Sequence, residues 1–216
     1  MRAVADSPYD LVIFDLDGTL IDSIGDIADA LGHTLGRELA DADVARWVGA
    51  GVHELLRRAG VSGAPAELDQ VARRYRARYA EFPVVHTRPY LRVKETLRAV
   101  GGLKAVATNK PGGLARTVVD KLGLSSEFAL VLGEDDVGRK KPDPLIVDII
   151  RGKLGAPRAR TLYVGDSTVD ADTAAAAGVD LCVVTYGYED QALLAAKPAK
   201  FRIDRFADLL AVLAPT

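Results

Sequence analysis

Two aspartates at the end of an apolar run are the residues best suited to chemistry. Residues 10–23 read DLVIFDLDGTLIDS, in which the apolar run ends at Asp15 and Asp17. Short continuous apolar runs are typical of strands that are covered on both faces. In an extended chain both carboxylates project to the same face, and their like charges repel unless a cation lies between them. Gly18 then allows a turn that brings backbone N–H groups close to a bound ligand.

This pair of carboxylates suits phosphoryl transfer. A carboxylate that attacks phosphorus needs a second group to protonate the leaving oxygen, so Asp15 is a candidate nucleophile and Asp17 a candidate acid and base. Asp166 follows another apolar run and could complete a set of oxygen ligands for Mg²⁺, which prefers octahedral oxygen coordination. Asp170 lies four residues further on and could orient a metal-bound water or pair with a lysine.

Other polar residues have the right groups to bind a phosphoryl group. Thr108 and Asn109 supply a hydroxyl and an amide after an apolar run, and Lys141 supplies a positive charge just before Pro142. Together with the N–H groups near Gly18, they would form a preorganised site for a transferring phosphoryl group. Taken singly, each of these residues has a simpler interpretation as a cap, a turn or a surface residue.

An α/β fold would bring these residues together. Apolar runs at 11–14, 104–108, 130–133, 161–165 and 181–186 alternate with helical patterns. This alternation predicts right-handed βαβ units and a doubly wound parallel sheet of the Rossmann type. Ligands of such sheets bind beyond the carboxyl ends of the strands, so the candidate residues are expected to share one concave site.

The alternation stops in the segment after the first strand. Residues 22–86 show helical periodicity throughout, and Pro65 suits the first turn of a helix. The pattern predicts a helical cap domain at residues 22–86, inserted into an α/β core domain formed by residues 1–21 and 87–216.

The composition limits the classes of protein to which this chain can belong. The 216 residues carry a net charge of −2, and 49% of them are hydrophobic, as in ordinary globular proteins. This charge balance gives no support for a nucleic-acid partner. The N-terminus lacks the apolar core of a signal peptide and no run approaches the length of a membrane span, so we expect a cytoplasmic protein without a membrane partner.

Four stretches resemble, in order, the motifs of the haloacid dehalogenase-like hydrolase superfamily. They are DLDGTLIDS, TNK, KKPDP and GDSTVD. The resemblance implies that Asp15 is a nucleophile that forms an aspartyl-phosphate and that Asp17 acts as general acid and then as general base. It further implies that Thr108 and Asn109 bind the phosphoryl group, which Lys141 would steady together with Asp15.

The same resemblance implies a Mg²⁺ cofactor. The ion would be held by the Asp15 side chain, the Asp17 backbone carbonyl and Asp166, with Asp170 supporting the metal shell. The predicted helical insertion is similar to the small α-helical cap that part of the superfamily closes over its substrate, and closure would exclude water.

Two places in the cap bear on the choice of substrate. Gly49 and Gly51 fall in the cap loop that, in relatives, enters the site and reads the leaving group, although a plain helix–helix turn would also use glycines there. At the second cap hinge, many relatives have a Pro-Gly pair. This chain has YLRV at residues 90–93 and so departs from the family pattern.

The resemblance implies a magnesium-dependent phosphatase that acts on a small phosphorylated metabolite. The stretches TNKP, GEDDVGRKKPDP, WVGAGVHELL and TYGY are most similar to phosphatases specific for 2-phosphoglycolate, which is therefore the expected substrate. A pyrophosphatase and a phosphotransferase of the β-phosphoglucomutase type are the enzyme alternatives. A protein that binds a phosphate ligand without turnover is the non-enzyme alternative. Both a monomer and a homodimer are compatible with the sequence.

Overall fold

One parallel sheet forms the centre of the molecule. The structure, a computed structural model, describes residues 7–215, so the start of the predicted core domain at residues 1–6 lies outside the described residues. The strands are β1 (Leu11–Phe14), β2 (Ile21–Asp22), β3 (Arg88–Pro89), β4 (Leu103–Ala107), β5 (Leu130–Leu132), β6 (Thr161–Gly165), β7 (Asp180–Val184) and β8 (Phe201–Ile203). Six of them lie in the order β5-β4-β1-β6-β7-β8 with every neighbouring pair parallel, which confirms the predicted α/β fold class.

Helices pack on the sheet and form a separate group after β1. They are α1 (Ile24–Leu35), α2 (Asp41–Ala45), α3 (Val52–Arg58), α4 (Pro65–Glu81), α5 (Val93–Ala99), α6 (Gly112–Lys121), α7 (Glu134–Val137), α8 (Leu145–Leu154), α9 (Thr168–Ala177), α10 (Gln191–Ala195) and α11 (Leu209–Val212). Short 3₁₀ turns occur at Ser125–Glu127, Arg158–Arg160 and Phe206–Asp208. Within the described residues, none of the helices has both the length and the apolar composition to cross a bilayer.

The central strand β1 is buried on both of its faces. Val12 and Phe14 belong to the apolar cluster that includes residues of α5 and α6, whereas Leu11 and Ile13 belong to the cluster that includes residues of α8 and α9. None of the four is more than 1% exposed. The alternation follows from the period of two in a strand, and it fixes the backbone that leads into Asp15.

The helices α1–α4 have an apolar core of their own. Leu31, Leu56, Ala72 and Tyr79 are among its most deeply buried members. The antiparallel pair β2 and β3 joins the chain before this group to the chain after it. The exact division into a cap at residues 22–86 and a core on either side of it stays a prediction.

A buried aspartate in α1 holds the segment by which the chain returns from the helical group to the sheet. The Asp26 carboxylate accepts hydrogen bonds from the backbone N–H groups of Val85, His86 and Thr87 and from the Thr87 hydroxyl. Burial raises the pKa of Asp26, but these hydrogen bonds outweigh it and leave that pKa below its usual value. The start of α1 and the segment before β3 are therefore held together.

The segment after β3 contains a residue whose backbone conformation is energetically unfavourable. Arg92 is exposed and has φ of +67°, the left-handed region that disfavours side chains with a Cβ atom. It lies in the YLRV stretch at residues 90–93. The local backbone therefore keeps a conformation suited to glycine while the sequence supplies an arginine.

We expect Arg92→Gly to increase the free energy of unfolding by about 1 kcal/mol, because it removes the cost of a left-handed non-glycine residue. Urea denaturation of the purified protein measures this change. Arg92→Ala is the matched control, since it removes the same side chain but keeps a Cβ atom. Equal stability of the glycine and alanine variants would contradict the expectation.

Candidate active site

Three neighbouring strands bring the predicted site residues to one edge of the sheet. β1 ends immediately before Asp15, β4 ends before Thr108 and Asn109, and β6 ends before Asp166. Because β4, β1 and β6 are adjacent and parallel, their carboxyl ends meet at this edge. The residues come from distant parts of the chain, and the sheet is what makes them neighbours.

A buried lysine lies among three buried carboxylates. Lys141 Nζ is 2.7 Å from Asp15 Oδ1 and 2.7 Å from Asp170 Oδ1, and it donates a hydrogen bond to Tyr163 Oη at 3.0 Å. Oxygen atoms of Asp15, Asp166 and Asp170 lie within 4.8 Å of one another. Burial lowers the pKa of Lys141, but the charges of Asp15 and Asp170 raise it well above its usual value. One ammonium group therefore faces three carboxylates.

The excess of negative charge makes this cluster suitable for a metal ion. Asp15 Oδ1 is buried and forms an ion pair with Lys141 Nζ, and no other group among the described residues donates a hydrogen bond to it. Burial raises the pKa of Asp15 to about 7, with Asp170 adding to the rise and Lys141 opposing it. Burial also raises the pKa of Asp166 well above its usual value. Carboxylate oxygens are the ligands of hard divalent cations, so the residues fit such an ion.

Asp166 is fixed by two hydrogen bonds and by the absence of a side chain at Gly18. The Thr19 hydroxyl donates to Asp166 Oδ1 at 3.0 Å, and the Tyr188 backbone N–H donates to Oδ2 at 2.9 Å. A Cβ atom on Gly18 would lie 2.3 Å from Asp166 Oδ2, and Gly18 has φ of +89°. Its own N–H donates to the Ile21 carbonyl at 2.9 Å. Gly18 therefore shapes the site by allowing Asp166 to approach.

Asp170 uses both of its oxygens within the protein. Ser167 is the N-cap of α9, and its hydroxyl donates to Asp170 Oδ2 at 2.6 Å. The other oxygen accepts hydrogen bonds from Lys141 and from Tyr163. This capping arrangement satisfies free N–H groups at the helix start and holds the carboxylate that positions Lys141.

Thr108 and Asn109 reach the site, but the Asn109 amide is already engaged. Asn109 Nδ2 donates to the carbonyl of Gly49 at 2.9 Å and to that of Lys141 at 3.2 Å, and its Oδ1 accepts from the Lys141 N–H at 2.7 Å. Thr108 Oγ1 accepts from the Lys110 N–H at 3.1 Å. Asn109 thus connects the loop carrying Lys141 with the loop between α2 and α3.

The predicted glycines of that loop lie against the α/β part of the molecule. Gly49 and Gly51 have φ of +108° and +87°, so both use backbone conformations that favour glycine. A Cβ atom on Gly51 would lie 2.9 Å from Glu134 Oε2. Lys140 Nζ donates to the Ala50 carbonyl at 3.1 Å. The structure therefore brings this loop over the edge of the sheet that carries the aspartates.

The structure adds Lys110 to the site, a residue for which the sequence analysis predicts no role. Its Nζ donates to Asp17 Oδ1 at 2.7 Å, to Asp17 Oδ2 at 2.8 Å and to Tyr79 Oη at 3.1 Å. The Ser23 hydroxyl also donates to Asp17 Oδ1, at 2.6 Å. The one available signal is that Lys110 belongs to the TNK stretch. Nothing in the sequence pairs it with Asp17 or with a tyrosine of α4.

A small cavity opens beside Asp15 and Asp17 under the helical group. Its volume is about 50 Å³, space for only a few water-sized groups. Its apolar lining comes from α1, from α3 and the loop before it, from α4, and from the segment after β4. The lining residues are Ile27, Val48, Val52, Leu55, Tyr75, Tyr79, Pro111 and Leu114. The cavity therefore has carboxylates at one end and a largely apolar wall at the other.

Comparison with known proteins identifies relatives of the whole chain. Residues 12–184 match the family model of haloacid dehalogenase-like hydrolases. A phosphoglycolate phosphatase from Pectobacterium atrosepticum is 36% identical over 208 residues, which cover 91% of this chain and 89% of that protein. Another from Rhodospirillum rubrum is 38% identical over 213 residues, covering 92% of this chain and 88% of that protein.

A solved structure shares the complete fold. It is a crystal structure described as a predicted phosphoglycolate phosphatase from Haemophilus somnus, with a TM-score of 0.87 and 30% sequence identity. The similarity covers 95% of this chain and 98% of that one. The resemblance seen in the sequence motifs is confirmed.

The crowding of the carboxylates should make the stability of the metal-free protein depend on pH. Because its pKa is raised by folding, Asp15 costs folding free energy once both folded and unfolded states are ionised. The metal-free protein should therefore lose stability as the pH rises from about 4 to about 7 or 8. Asp15→Asn should be more stable than the wild type by about 4 kcal/mol at pH 8 and by only about 1–2 kcal/mol at pH 5.

Thermal and urea denaturation in EDTA at both pH values measure this difference. The Asp15 charge also raises the pKa of Asp166, so the measured difference includes the smaller cost of ionising Asp166 in the variant. A stability difference that does not change with pH would show that the Asp15 charge is compensated in the folded protein.

Proposed function

From the premise that this chain is a phosphoric monoester hydrolase of the haloacid dehalogenase-like hydrolase family, we propose that it hydrolyses 2-phosphoglycolate in a Mg²⁺-dependent reaction through an aspartyl-phosphate. The observation that carries the proposal is the buried Asp15 carboxylate, which is ion-paired with Lys141 and lies two residues before Asp17. Such a carboxylate is suited to the nucleophilic step and to holding a cation.

The proposed reaction has two steps that use the two aspartates in different roles. In the first, an Asp15 oxygen forms a bond to phosphorus while the bond from phosphorus to the bridging oxygen breaks, and Asp17 delivers a proton to the departing alkoxide. In the second, Asp17 takes a proton from water, whose oxygen attacks phosphorus and breaks the bond to Asp15. Glycolate and inorganic phosphate are the products, and Asp15 and Asp17 return to their starting states.

The residues that would hold Mg²⁺ are Asp15 and Asp166 through their side chains and Asp17 through its backbone carbonyl, with Asp170 supporting them through Lys141. When bound, the ion would neutralise part of the charge on the phosphoryl oxygens and on the clustered carboxylates. Asp166 is held in place by hydrogen bonds from the Thr19 hydroxyl and the Tyr188 N–H.

Phosphoryl binding is assigned to Thr108 and Lys141, because the expected donor at Gly18 is already bonded to the Ile21 carbonyl. The Lys141 ammonium lies 2.7 Å from the attacking carboxylate, close enough to neutralise charge on a phosphoryl group attached to it. Asn109 contributes by joining the Lys141 loop to Gly49, and Gly51 keeps the same cap loop close to the core. Closure of the cap loop over the phosphoryl group would exclude bulk water.

The identity of the leaving group rests on the relatives and on the size of the cavity. The two curated relatives described above carry the name phosphoglycolate phosphatase and align with most of this chain. The cavity of about 50 Å³ beside Asp15 and Asp17 has room for a leaving group of a few non-hydrogen atoms, such as glycolate.

Phosphate release by the purified protein with Mg²⁺ tests the proposal. We expect the highest kcat/KM for 2-phosphoglycolate among 2-phosphoglycolate, pyrophosphate, glucose 6-phosphate and AMP. Asp15→Asn should reduce kcat by at least about 10⁴-fold because it removes the nucleophile, and EDTA should abolish activity until Mg²⁺ is restored.

The controls separate the proposal from its alternatives. Asp17→Asn should also lower kcat, and rapid quench with ³²P-labelled substrate should reveal phosphate attached to wild-type protein but not to Asp15→Asn. Preference for pyrophosphate, or transfer of phosphate between sugar positions, would replace the proposed reaction with a related one. Binding of phosphate and Mg²⁺ without turnover of any substrate would refute it.

A further inference from the structure

The cavity beside Asp17 contains an unusual buried charge. Lys110 is 7% exposed as a residue, and it is the one cationic side chain among the described residues that line the cavity. Charged groups are rarely buried unless a partner or a function compensates the cost of losing water. Asp17 and the Tyr79 hydroxyl supply its partners. Residues such as Val48 and Leu55 make the adjoining part of the wall apolar.

We propose that Lys110 binds the carboxylate of the substrate and is the residue that makes the enzyme select acidic phosphomonoesters. This inference rests on the proposed function, since it assigns the leaving-group contact in that reaction. The class of substrate is a short chain with a phosphate at one end and a carboxylate at the other, of which 2-phosphoglycolate is the smallest stable example.

The position of Lys110 follows from the position of Asp17. The group that Asp17 protonates is the bridging oxygen of the substrate, which must therefore come within hydrogen-bonding distance of the Asp17 carboxylate. Lys110 Nζ lies 2.7 Å and 2.8 Å from the two oxygens of that carboxylate. In 2-phosphoglycolate the carboxyl carbon is two bonds from the bridging oxygen. A carboxylate at this position arrives next to the Lys110 ammonium.

Lys110 can bind the substrate carboxylate if it gives up its hydrogen bond to Tyr79. An ammonium group has three N–H donors, and in this structure they are directed to Asp17 and to Tyr79 Oη. The contact with Tyr79 is the longest at 3.1 Å, and the hydroxyl is a neutral acceptor. A substrate carboxylate is a charged acceptor and makes a shorter and stronger bond, so it would replace Tyr79 while Asp17 stays in place.

The other cations near the opening are less suited to this role. Arg46 and Arg58 line the outer part of the site and pair with Asp43 and Glu54. Their side chains are 67% and 41% exposed, so water and salt screen their charges. Lys110 lies in a largely apolar wall, where its interaction with a substrate carboxylate is stronger than it would be in water. A neutral substrate makes no such interaction.

The test compares two substrates in two proteins. Wild type and Lys110→Met are assayed with 2-phosphoglycolate and with ethyl phosphate, which has a methyl group where the carboxylate would be. Loss of the Asp17 contact affects both substrates equally, so the ratio of their kcat/KM values isolates the carboxylate. We expect Lys110→Met to lower the preference for 2-phosphoglycolate by about 100-fold.

Two further variants and a binding measurement make the outcome specific. Tyr79→Phe should keep the preference, because it removes only the exchanged partner, and Arg58→Met should leave it unchanged. Calorimetry with 3-phosphonopropionate and propylphosphonate, which cannot be hydrolysed, should show the same 100-fold preference in wild type and its loss in Lys110→Met. A phosphate-induced increase in Tm confirms that the variant is folded.

The outcomes distinguish this inference from the proposed function. If wild type hydrolyses neither ester, the proposed function fails. If wild type prefers 2-phosphoglycolate and Lys110→Met keeps that preference, or Arg58→Met loses it, the assignment to Lys110 is overturned while the phosphatase activity stands. Loss of the preference in Lys110→Met alone, both in turnover and in phosphonate binding, supports it.

Discussion

A mismatch of buried charge governs the catalytic end of this molecule. Lys141 is one ammonium group among the carboxylates of Asp15, Asp166 and Asp170, whose oxygens lie within 4.8 Å of one another. Burial and mutual repulsion raise the pKa values of Asp15 and Asp166, so the cluster without a cation is costly. Such a cost persists only where the surrounding fold fixes the groups. The same arrangement makes the cluster suitable for a divalent cation.

The α/β fold meets this requirement by fixing each carboxylate separately. Asp15 follows a strand whose two faces are buried in different apolar clusters, so its backbone has little freedom. Asp166 is held by Thr19 and Tyr188, and Asp170 is held by the N-cap residue of its own helix. These contacts come from independent elements. No single local motif could hold like charges so close together.

The helical group is linked to the chemistry by polar contacts as well as by the shape of the cavity. Asn109 donates to the Gly49 carbonyl, and Lys110 joins Asp17 to Tyr79 of α4. The adjacent residues Asn109 and Lys110 therefore connect the end of β4 to the loop before α3 and to α4. In the proposed reaction Asp17 protonates the leaving group and Lys110 recognises it, and the contact between the two side chains places these tasks side by side.

The sequence by itself determined five strands of the main sheet, the fold class and the family, because strand periodicity and short motifs are local properties of the chain. The same motifs named Asp15, Asp17, Thr108, Lys141 and Asp166, since each follows a strand or lies in a characteristic stretch. Only the tertiary structure decided which partners these groups have. Lys110 against Asp17 and Tyr79, the engaged amide of Asn109 and the left-handed Arg92 depend on contacts or backbone angles that no local pattern encodes. Packing of α4 against α1 and of the cap loop against the core sets those contacts, and both involve residues far apart in the chain.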